Sequence, residues 1–562
     1  MVFFKKELIK GWGHFGLLDG FEPIPPLYEG LYWGFIKGTK MSRLKQFTLS
    51  LFSGYLVLGS NILYTLASVP LALHYLGKAP FALWAVVSQV SGYLALIDLG
   101  MSGSISRILI DHKDDRSTGV YGQIVKTGIL VGLAQGLIIL AAGAALTIPA
   151  SRFLQIPPDL HRDFIWIMLG QSALVSVNFS CRIFNQLLFA HQRLDLGNYG
   201  STLATILSLG VMWACFDAGW GIYSFLASQA FLVVATLAVV WGSCLHLGLF
   251  PSGREWGTLS RERFKEMFAF GQGVFLISVG SQFINTSQTL LISRLLGLDA
   301  VATWTICTRA YSSLTTLVWR VMDFSIPVLS EMFVRNERDR LRIRIQDISI
   351  LMTSLSILCG TLFAVANGSF VRIWVHSRAG WPVWDDILLV LWFVACTLMR
   401  VHTGLVGITK KLHFLRFIYL LEGSVFLLLN LALHRVESIT LMLSLSLACT
   451  LSFTLPYGLA RSSDYFKLGW LDLLAWVRPS WSFTWRLVPL AAVVWWMTRH
   501  LPDRWRLALN LAFTGGTGLI LFLRHGLDSG LTREIGAKLP PFARRSLMWV
   551  SGSFPNPSTR LH

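Results

Sequence analysis

Charge is scarce in this chain. Only 14% of its 562 residues are Asp, Glu, Lys or Arg, about half the share that a water-soluble protein uses to cover its surface. The scarcity falls on acids, since 30 Asp and Glu stand against 48 Lys and Arg, for a formal net charge of +18. Cysteine is sparse and unpaired. The seven (Cys181, Cys215, Cys244, Cys307, Cys359, Cys396, Cys449) are scattered in or beside apolar stretches, which excludes a disulfide framework and a metal cage and reads as small buried hydrophobes. No P-loop, H-E-x-x-H or EF-hand pattern occurs, so ATP-driven pumping by this chain alone is excluded and no cofactor is implied. GWGHFG at 11–16 is a literal G-x-G-x-x-G, but it follows no strand and belongs to no βαβ unit. Asp385 and Asp386 are adjacent, and adjacent side chains on a helix do not converge on one metal ion. NTS at 285–287 and NGS at 367–369 match glycosylation sequons but lie in or beside apolar spans. The basic residues form no long tail and no nucleic-acid reader motif, so nucleic acid is not an expected partner. Residues 1–46 lack the apolar core of a signal peptide. Met41 opens MSRLKQFTLSLFSG, itself a sensible start, so the first 40 residues read as an upstream extension.

What is abundant is apolar length. Mean hydropathy is +0.57, and the apolar residues come in blocks such as ILVGLAQGLIILAAGAALTIPA at 129–150. A segment needs roughly 20 apolar residues to cross about 30 Å of hydrocarbon. Fourteen spans are predicted, near 48–70, 81–103, 127–149, 164–189, 200–218, 221–243, 268–292, 301–330, 348–370, 385–407, 415–433, 437–459, 484–499 and 507–523. With the N-terminus in the cytoplasm, the cytoplasmic loops hold 33 Lys and Arg and the opposite loops 10. That bias fits the positive-inside rule and places both termini in the cytoplasm.

The chain also repeats. HYLGKAPFALW at 74–84 and RLLGLDAVATW at 294–304 share Leu76, Gly77, Ala82 and Trp84 with Leu296, Gly297, Ala302 and Trp304, each shifted by 220 positions. Six spans fill each interval, so the two copies enter the membrane in the same sense. The predicted fold is an all-α polytopic membrane protein of about 14 transmembrane helices, in two parallel six-helix bundles plus a C-terminal helix pair. The expected boundaries are a cytoplasmic extension at 1–46, an N-lobe at 47–250, a linker at 251–267, a C-lobe at 268–460, a linker with two additional helices at 461–523 and a cytoplasmic tail at 524–562. A central cavity between the bundles is expected to open alternately to the two sides.

Polar residues inside the spans are the candidate site. Ser278, Gln282, Asn285 and Thr289 form one helical stripe, as do Asn61, Thr65 and Ser68, and Asn178, Arg182 and Asn185. Interhelical hydrogen bonding alone accounts for such stripes, but their recurrence in corresponding helices favours a shared wet cavity. Ionisable residues at membrane depth are functional by default. Arg320 and Asp323 have pairing distance on one helix, and Arg400 with Glu422 and Asp98 with Arg107 are candidate pairs. Asp98 is also the obvious ion-coupling carboxylate of the first lobe. Arg182 and Arg309 have no partner at i±3 or i±4, and unpaired guanidinium groups suit a polyanionic headgroup. Expected substrate-binding residues are therefore Arg182, Arg309, Asn178, Asn185, Gln282, Asn285 and Arg400. Asp98, Glu422, Asp323 and Arg320 are reserved for ion coupling or structural pairing.

The stretch PLALHYLGKAPFALWAVVSQVSGYLALIDLGMSGSISR at 70–107, with Tyr75-Leu76-Gly77, Phe81, Leu83-Trp84, Tyr93-Leu94-Ala95 and Asp98-Leu99-Gly100, resembles the bacterial O-antigen and polysaccharide flippases of the multidrug/oligosaccharidyl-lipid/polysaccharide (MOP) exporter superfamily. The resemblance implies a two-lobed, V-shaped, MATE-like fold without enzymatic activity. It implies translocation of undecaprenyl-pyrophosphate-linked oligosaccharide across the bacterial inner membrane for lipopolysaccharide or other polysaccharide. Membrane lipids, a polysaccharide polymerase and glycosyltransferases are the implied surroundings. A MATE-like multidrug or small-molecule exporter is the alternative. A membrane-embedded glycosyltransferase would need a carboxylate near a long outer loop, and every predicted outer loop is short. The charge bias makes a direct prediction: a reporter fused after residue 340 should lie in the cytoplasm and one at residue 376 outside. The reverse, or both on one side, would overturn the span assignment.

Overall fold

The computed structural model describes residues 43–532, apart from 113–115, 117, 254, 377–379, 410–412, 434–435, 437, 529 and 531. Residues 1–42, including GWGHFG, and the tail from 533 lie outside the described residues, as do Arg378 and Arg435. From Ser50 onward the chain is one compact unit.

Regular structure among the described residues is helical throughout. The first copy of the repeat holds α1 (Arg43–Leu76), α2 (Lys78–Leu94), α3 (Met101–His112), α4 (Val120–Phe153), α5 (His161–Ser180), α6 (Arg182–Ala190), α7 (Leu194–Asp217) and α8 (Tyr223–His246). The second holds α9 (Arg261–Asn285), α10 (Ser287–Leu296), α11 (Leu298–Cys307), α12 (Arg309–Val334), α13 (Arg338–Val375), α14 (Val383–Ile408), α15 (His413–Ala432), α16 (Ile439–Ser452) and α17 (Thr454–Phe466). After these come α18 (Trp470–Trp476), α19 (Arg478–Thr498), α20 (Asp503–Leu509) and α21 (Gly515–His525).

Eleven helical stretches are long and apolar enough to cross a membrane among the described residues, against the fourteen expected. The three that fail are helical but too polar or too broken. The span at 268–292 is interrupted at Thr286, between α9 and α10, and carries Gln272, Gln282 and Asn285. The span at 301–330 is interrupted at Thr308 and carries Arg309, Arg320 and Asp323. In α19, Arg486 and an internal Pro489 dilute a helix rich in tryptophan. Polar groups in hydrocarbon survive only where protein or water covers them: Gln282, Arg309 and Asp323 are half-buried in protein, while Gln272, Asn285 and Arg320 are exposed and need water. Exposed tryptophans gather near helix ends, as interfacial side chains do: Trp213 in the last turns of α7, Trp220 before α8, Trp384 at the start of α14, and Trp496 and Trp505 about the turn into α20.

The repeated stretches have the same backbone. Gly77 (φ 75°, ψ −171°) opens α2, and Gly297 (φ 85°, ψ 178°) opens α11. Only glycine occupies this region without strain. A β-carbon at either position would meet no neighbour within 4 Å, so the dihedral alone requires the residue. Beyond the turns, α2 packs on α11, with Ala82 and Ala302 fully buried in one continuous core. The two repeated stretches thus pack against each other.

A second set of glycines sets how closely α9 is held. A β-carbon on Gly271 would collide with the carbonyl of Leu99, and one on Gly100 with the carbonyl of Gly271. Likewise a β-carbon on Gly280 would strike the backbone of Tyr419 in α15. The connection before α9 is docked rather than loose: Tyr121 donates to the Leu249 carbonyl at 2.7 Å and Arg116 to that of Gly248 at 2.9 Å. The Ser252 N–H donates to the Glu255 carboxylate at 2.8 Å and holds its pKa below the ordinary value.

Gly77→Ala and Gly297→Ala should each cost ~1–3 kcal/mol of folded-state stability, the usual scale for a residue forced into this region. Gly103→Ala, in an exposed helical position with nothing within 4 Å, should be neutral or slightly stabilising. Thermal melting of detergent-purified variants followed by size-exclusion measures the difference. Equal melting temperatures in all three would refute the backbone argument.

Candidate functional site

Ion pairs neutralise charge at membrane depth in both copies. Asp98 closes the 3₁₀ turn Ala95–Asp98 after α2, and Arg182 is the first residue of α6. Arg182 Nη1 lies 2.9 Å from Asp98 Oδ1, which also accepts from Ser102 Oγ at 2.6 Å. The Arg182 guanidinium caps the Phe179 ring at 4.7 Å. The expectation that Arg182 lacks a partner is therefore corrected, and Asp98 is held by Arg182 rather than by the proposed Arg107 lock. In the second copy Arg400 Nη2 sits 2.6 Å from Asp323 Oδ1 and 4.7 Å from the Trp319 ring. Arg320 approaches the other Asp323 oxygen at 3.9 Å, the looser of the two contacts. The expected Arg400–Glu422 pair is likewise corrected: Glu422 is buried and accepts from Thr450 at 2.9 Å. In each copy, then, a carboxylate of the second expected span holds an arginine of the fourth, and that arginine covers an aromatic ring.

Arg309 stands apart. It is the first residue of α12, just past the break at Thr308, and its Nη2 donates to Thr65 Oγ1 at 3.2 Å. Among the described residues no carboxylate is in ion-pair range of it. It borders a cavity of about 440 Å³, within the ~300–1,000 Å³ usual for small-molecule sites. Asn285, Gln288 and Thr289 of the α9–α10 segment form one wall. Ser312 and Thr316 of α12 continue from Arg309 at helical spacing to form another, with Trp304, Tyr311, Trp319 and Trp392 between them. Among the described residues that line the cavity there is no Asp or Glu.

Gln89 of α2 also lines the cavity, and sequence reasoning missed it. The signal was available, because Gln89 lies 220 positions before Arg309 and Thr65 lies 220 before Asn285. Thr65 and Arg309 are bonded, whereas their repeat counterparts Asn285 and Gln89 both line the cavity and Asn285 bonds Ser281 of its own helix.

The remaining candidates lie elsewhere. Gln282 donates to the Gly92 carbonyl at 3.2 Å, and Tyr93 donates to the Gln282 carbonyl at 3.3 Å, so Gln282 fastens α9 to α2. Asn178 is exposed on α5 and Asn185 half-buried on α6, and neither borders the cavity. Asp385 and Asp386 diverge as expected: Asp385 accepts from Thr440 at 2.6 Å, and Asp386 from Asn367 and Trp381 at 2.8 Å each. Among the described residues no group of three or more His, Cys, Asp or Glu is placed to hold a metal ion, and all seven cysteines are free.

The long apolar helices define a multi-pass membrane protein with half-buried ion pairs and a polar cavity. Residues 47–333 match the polysaccharide biosynthesis protein family, and the chain belongs to that family. The fold is similar to that of the lipid II flippase MurJ in an inward closed conformation, at 13% identity and a TM-score of 0.57, covering 88% of this chain and 99% of that one. It is also similar to an inward-facing multidrug resistance MATE family transporter, at 14% identity and a TM-score of 0.56, covering 72% and 95%. A third similar structure is the bent form of the Vibrio cholerae MATE transporter VcmN, at 15% identity and a TM-score of 0.53, covering 76% and 98%. No curated protein sequence matches the chain.

The Asp98–Arg182 pair predicts a specific rescue. Asp98→Asn or Arg182→Gln should destabilise the protein by an amount between the ~1 kcal/mol of an exposed pair and the ~3–5 kcal/mol of a buried one, since the Arg182 side chain is about one-third exposed. Exchanging the two charges in one chain should recover part of that loss. A double variant no better than the worse single variant would show that the pair is not the source of the stability.

Proposed function

We propose that this protein is a flippase that carries an undecaprenyl-pyrophosphate-linked oligosaccharide across the bacterial inner membrane for polysaccharide biosynthesis, O-antigen being one such product. The observation that carries the reading is the Arg309 cavity, where one guanidinium without a carboxylate partner faces a polar, aromatic space beside the contact of the two copies. A pyrophosphate crossing hydrocarbon needs fixed positive charge along its route, and a guanidinium binds phosphate oxygens through two parallel donors. Six-helix lobes at 47–250 and 268–460, joined at 251–267 and followed by an added helix pair within 461–523, would rock about this cavity. Both termini would be cytoplasmic. Arg182 and Arg400, neutralised by Asp98 and Asp323, would bear on substrate only when those pairs open. Glu422 is the remaining candidate for ion coupling, and a polymerase and glycosyltransferases would work alongside.

Export of a small molecule is the second reading, favoured by the similarity of the fold to multidrug transporters. A cationic drug would need a carboxylate in the cavity, and none lines it.

Arg309→Ala should leave membrane abundance near normal and reduce surface glycan at least tenfold. Arg309→Lys should restore part of it, because charge is kept while the planar fork is lost. Undiminished glycan export in Arg309→Ala at normal abundance would refute the reading.

A further inference from the structure

The first copy carries a surface groove that shares no lining residue with the Arg309 cavity. Helix α8 is the least buried of the eleven membrane-crossing stretches among the described residues, and it packs on α5. A β-carbon on Gly170 of α5 would strike the Leu226 side chain of α8, so the two helices touch closely there. Beside that contact an open groove of about 510 Å³ runs past Trp220, Tyr223, Leu226, Ala227 and Ala230. Tyr223, Leu226, Ala227 and Ala230 lie on one face of α8, so the groove descends along the helix from its first turn toward the bilayer interior. A second space, of about 490 Å³, adjoins it at Tyr223 and is bordered by Arg162, Asp163 and Trp166 in the first turns of α5.

The two spaces differ in chemistry. Rings and aliphatic side chains line the one along α8. The one at its end brings a guanidinium and a carboxylate to a single groove, flanked by the exposed Trp166 and Trp220, the kind of ring that sits at headgroup depth. The Tyr223 hydroxyl donates to Asp163 Oδ1 at 2.8 Å, which leaves Oδ2 as an open acceptor. Arg162 is exposed, and among the described residues no carboxylate is in ion-pair range of it. A charged head compartment in series with an apolar track has the layout of a phospholipid, and the two opposite charges select its class. A phosphate accepts the guanidinium fork. The carboxylate beside it repels a headgroup that is only anionic and attracts an ammonium. A primary ammonium supplies N–H donors to Oδ2, whereas the quaternary nitrogen of choline has none.

We infer that the seam between α5 and α8 binds one phosphatidylethanolamine molecule, with its phosphate on Arg162, its ammonium on Asp163 and an acyl chain along Leu226, Ala227 and Ala230. The site stands apart from the flippase reading, since none of its residues borders the cavity on which that reading rests.

Full-length protein in detergent, titrated with dioleoyl phosphatidylethanolamine, phosphatidylcholine and phosphatidylglycerol, tests it by native mass spectrometry of the first lipid bound. Phosphatidylethanolamine should bind at least fivefold tighter than either of the others. Asp163→Asn keeps an acceptor for Tyr223 while removing the charge, and should bring phosphatidylethanolamine to within twofold of phosphatidylcholine. Arg162→Gln, at an exposed position, should weaken phosphatidylethanolamine at least fivefold, and it decides the matter alone if the Asp163 variant does not fold. Ala227→Leu with Ala230→Leu should fill the apolar track and weaken all three lipids at least threefold. Equal affinities for the three lipids in the unaltered chain, or undiminished phosphatidylethanolamine binding in Arg162→Gln, would overturn the inference. Preference for phosphatidylglycerol would overturn it too, and so would preference for phosphatidylcholine, which would show the rings holding a quaternary ammonium instead. A dimer of the purified protein that the paired leucine variant dissociates would assign the seam to a second copy of the chain and overturn it as well.

Discussion

A polar group placed at the depth of a bilayer has to find its partner inside the protein, because hydrocarbon offers none. That constraint organises the interior of this chain. Asp98 takes Arg182, Asp323 takes Arg400, and each arginine lies over an aromatic ring. Arg309 differs from both: among the described residues it meets the Thr65 hydroxyl and no carboxylate. Glu422, Asp385 and Asp386 are satisfied by neutral donors instead of cations.

The duplication separates scaffold from site. Turn glycines, the buried alanines and the second-to-fourth-span ion pairs recur in both copies, because both must enter the membrane, turn and pack in the same way. The wall of α12 does not recur. The packed face varies as well, since Phe81, Val86 and Val87 are buried where the second stretch buries Val301, Ile306 and Cys307, so the turn glycine and the alanine and tryptophan beyond it are held more tightly than the rest.

Much of this was legible in the sequence. Apolar runs locate the helices, and a shift of 220 positions locates the repeat, since both signals are local and linear. Span counting fails at 268–292, 301–330 and 484–499 because those helices are the polar or interrupted ones, and a hydropathy criterion discards what an interior position tolerates. Pairing was the least legible. Arg182 and Asp98 are far apart in the chain, as are Arg400 and Asp323, and spacing rules see only neighbours one turn away. Arg309 lacks a carboxylate partner both on its own helix and, among the described residues, on its neighbours. Gln89 escaped notice because a glutamine in a span is unremarkable until its repeat partner is known to be an arginine.

The glycines of α9 carry a mechanical consequence. Gly271 and Gly280 are nine residues apart, about two and a half helical turns, so they lie on opposite faces of the helix. One rests on the backbone at Leu99–Gly100 and the other on that at Tyr419. Sliding α9 by one residue would drive a side chain into each contact, which closes off piston motion. Tilting about either point remains open, so α9 is a lever with two fulcra roughly 13 Å apart along its axis. A tilt of about 5° at the first moves the second by about 1 Å, and a small displacement where the copies touch is carried to α15 without any side chain having to change its rotamer.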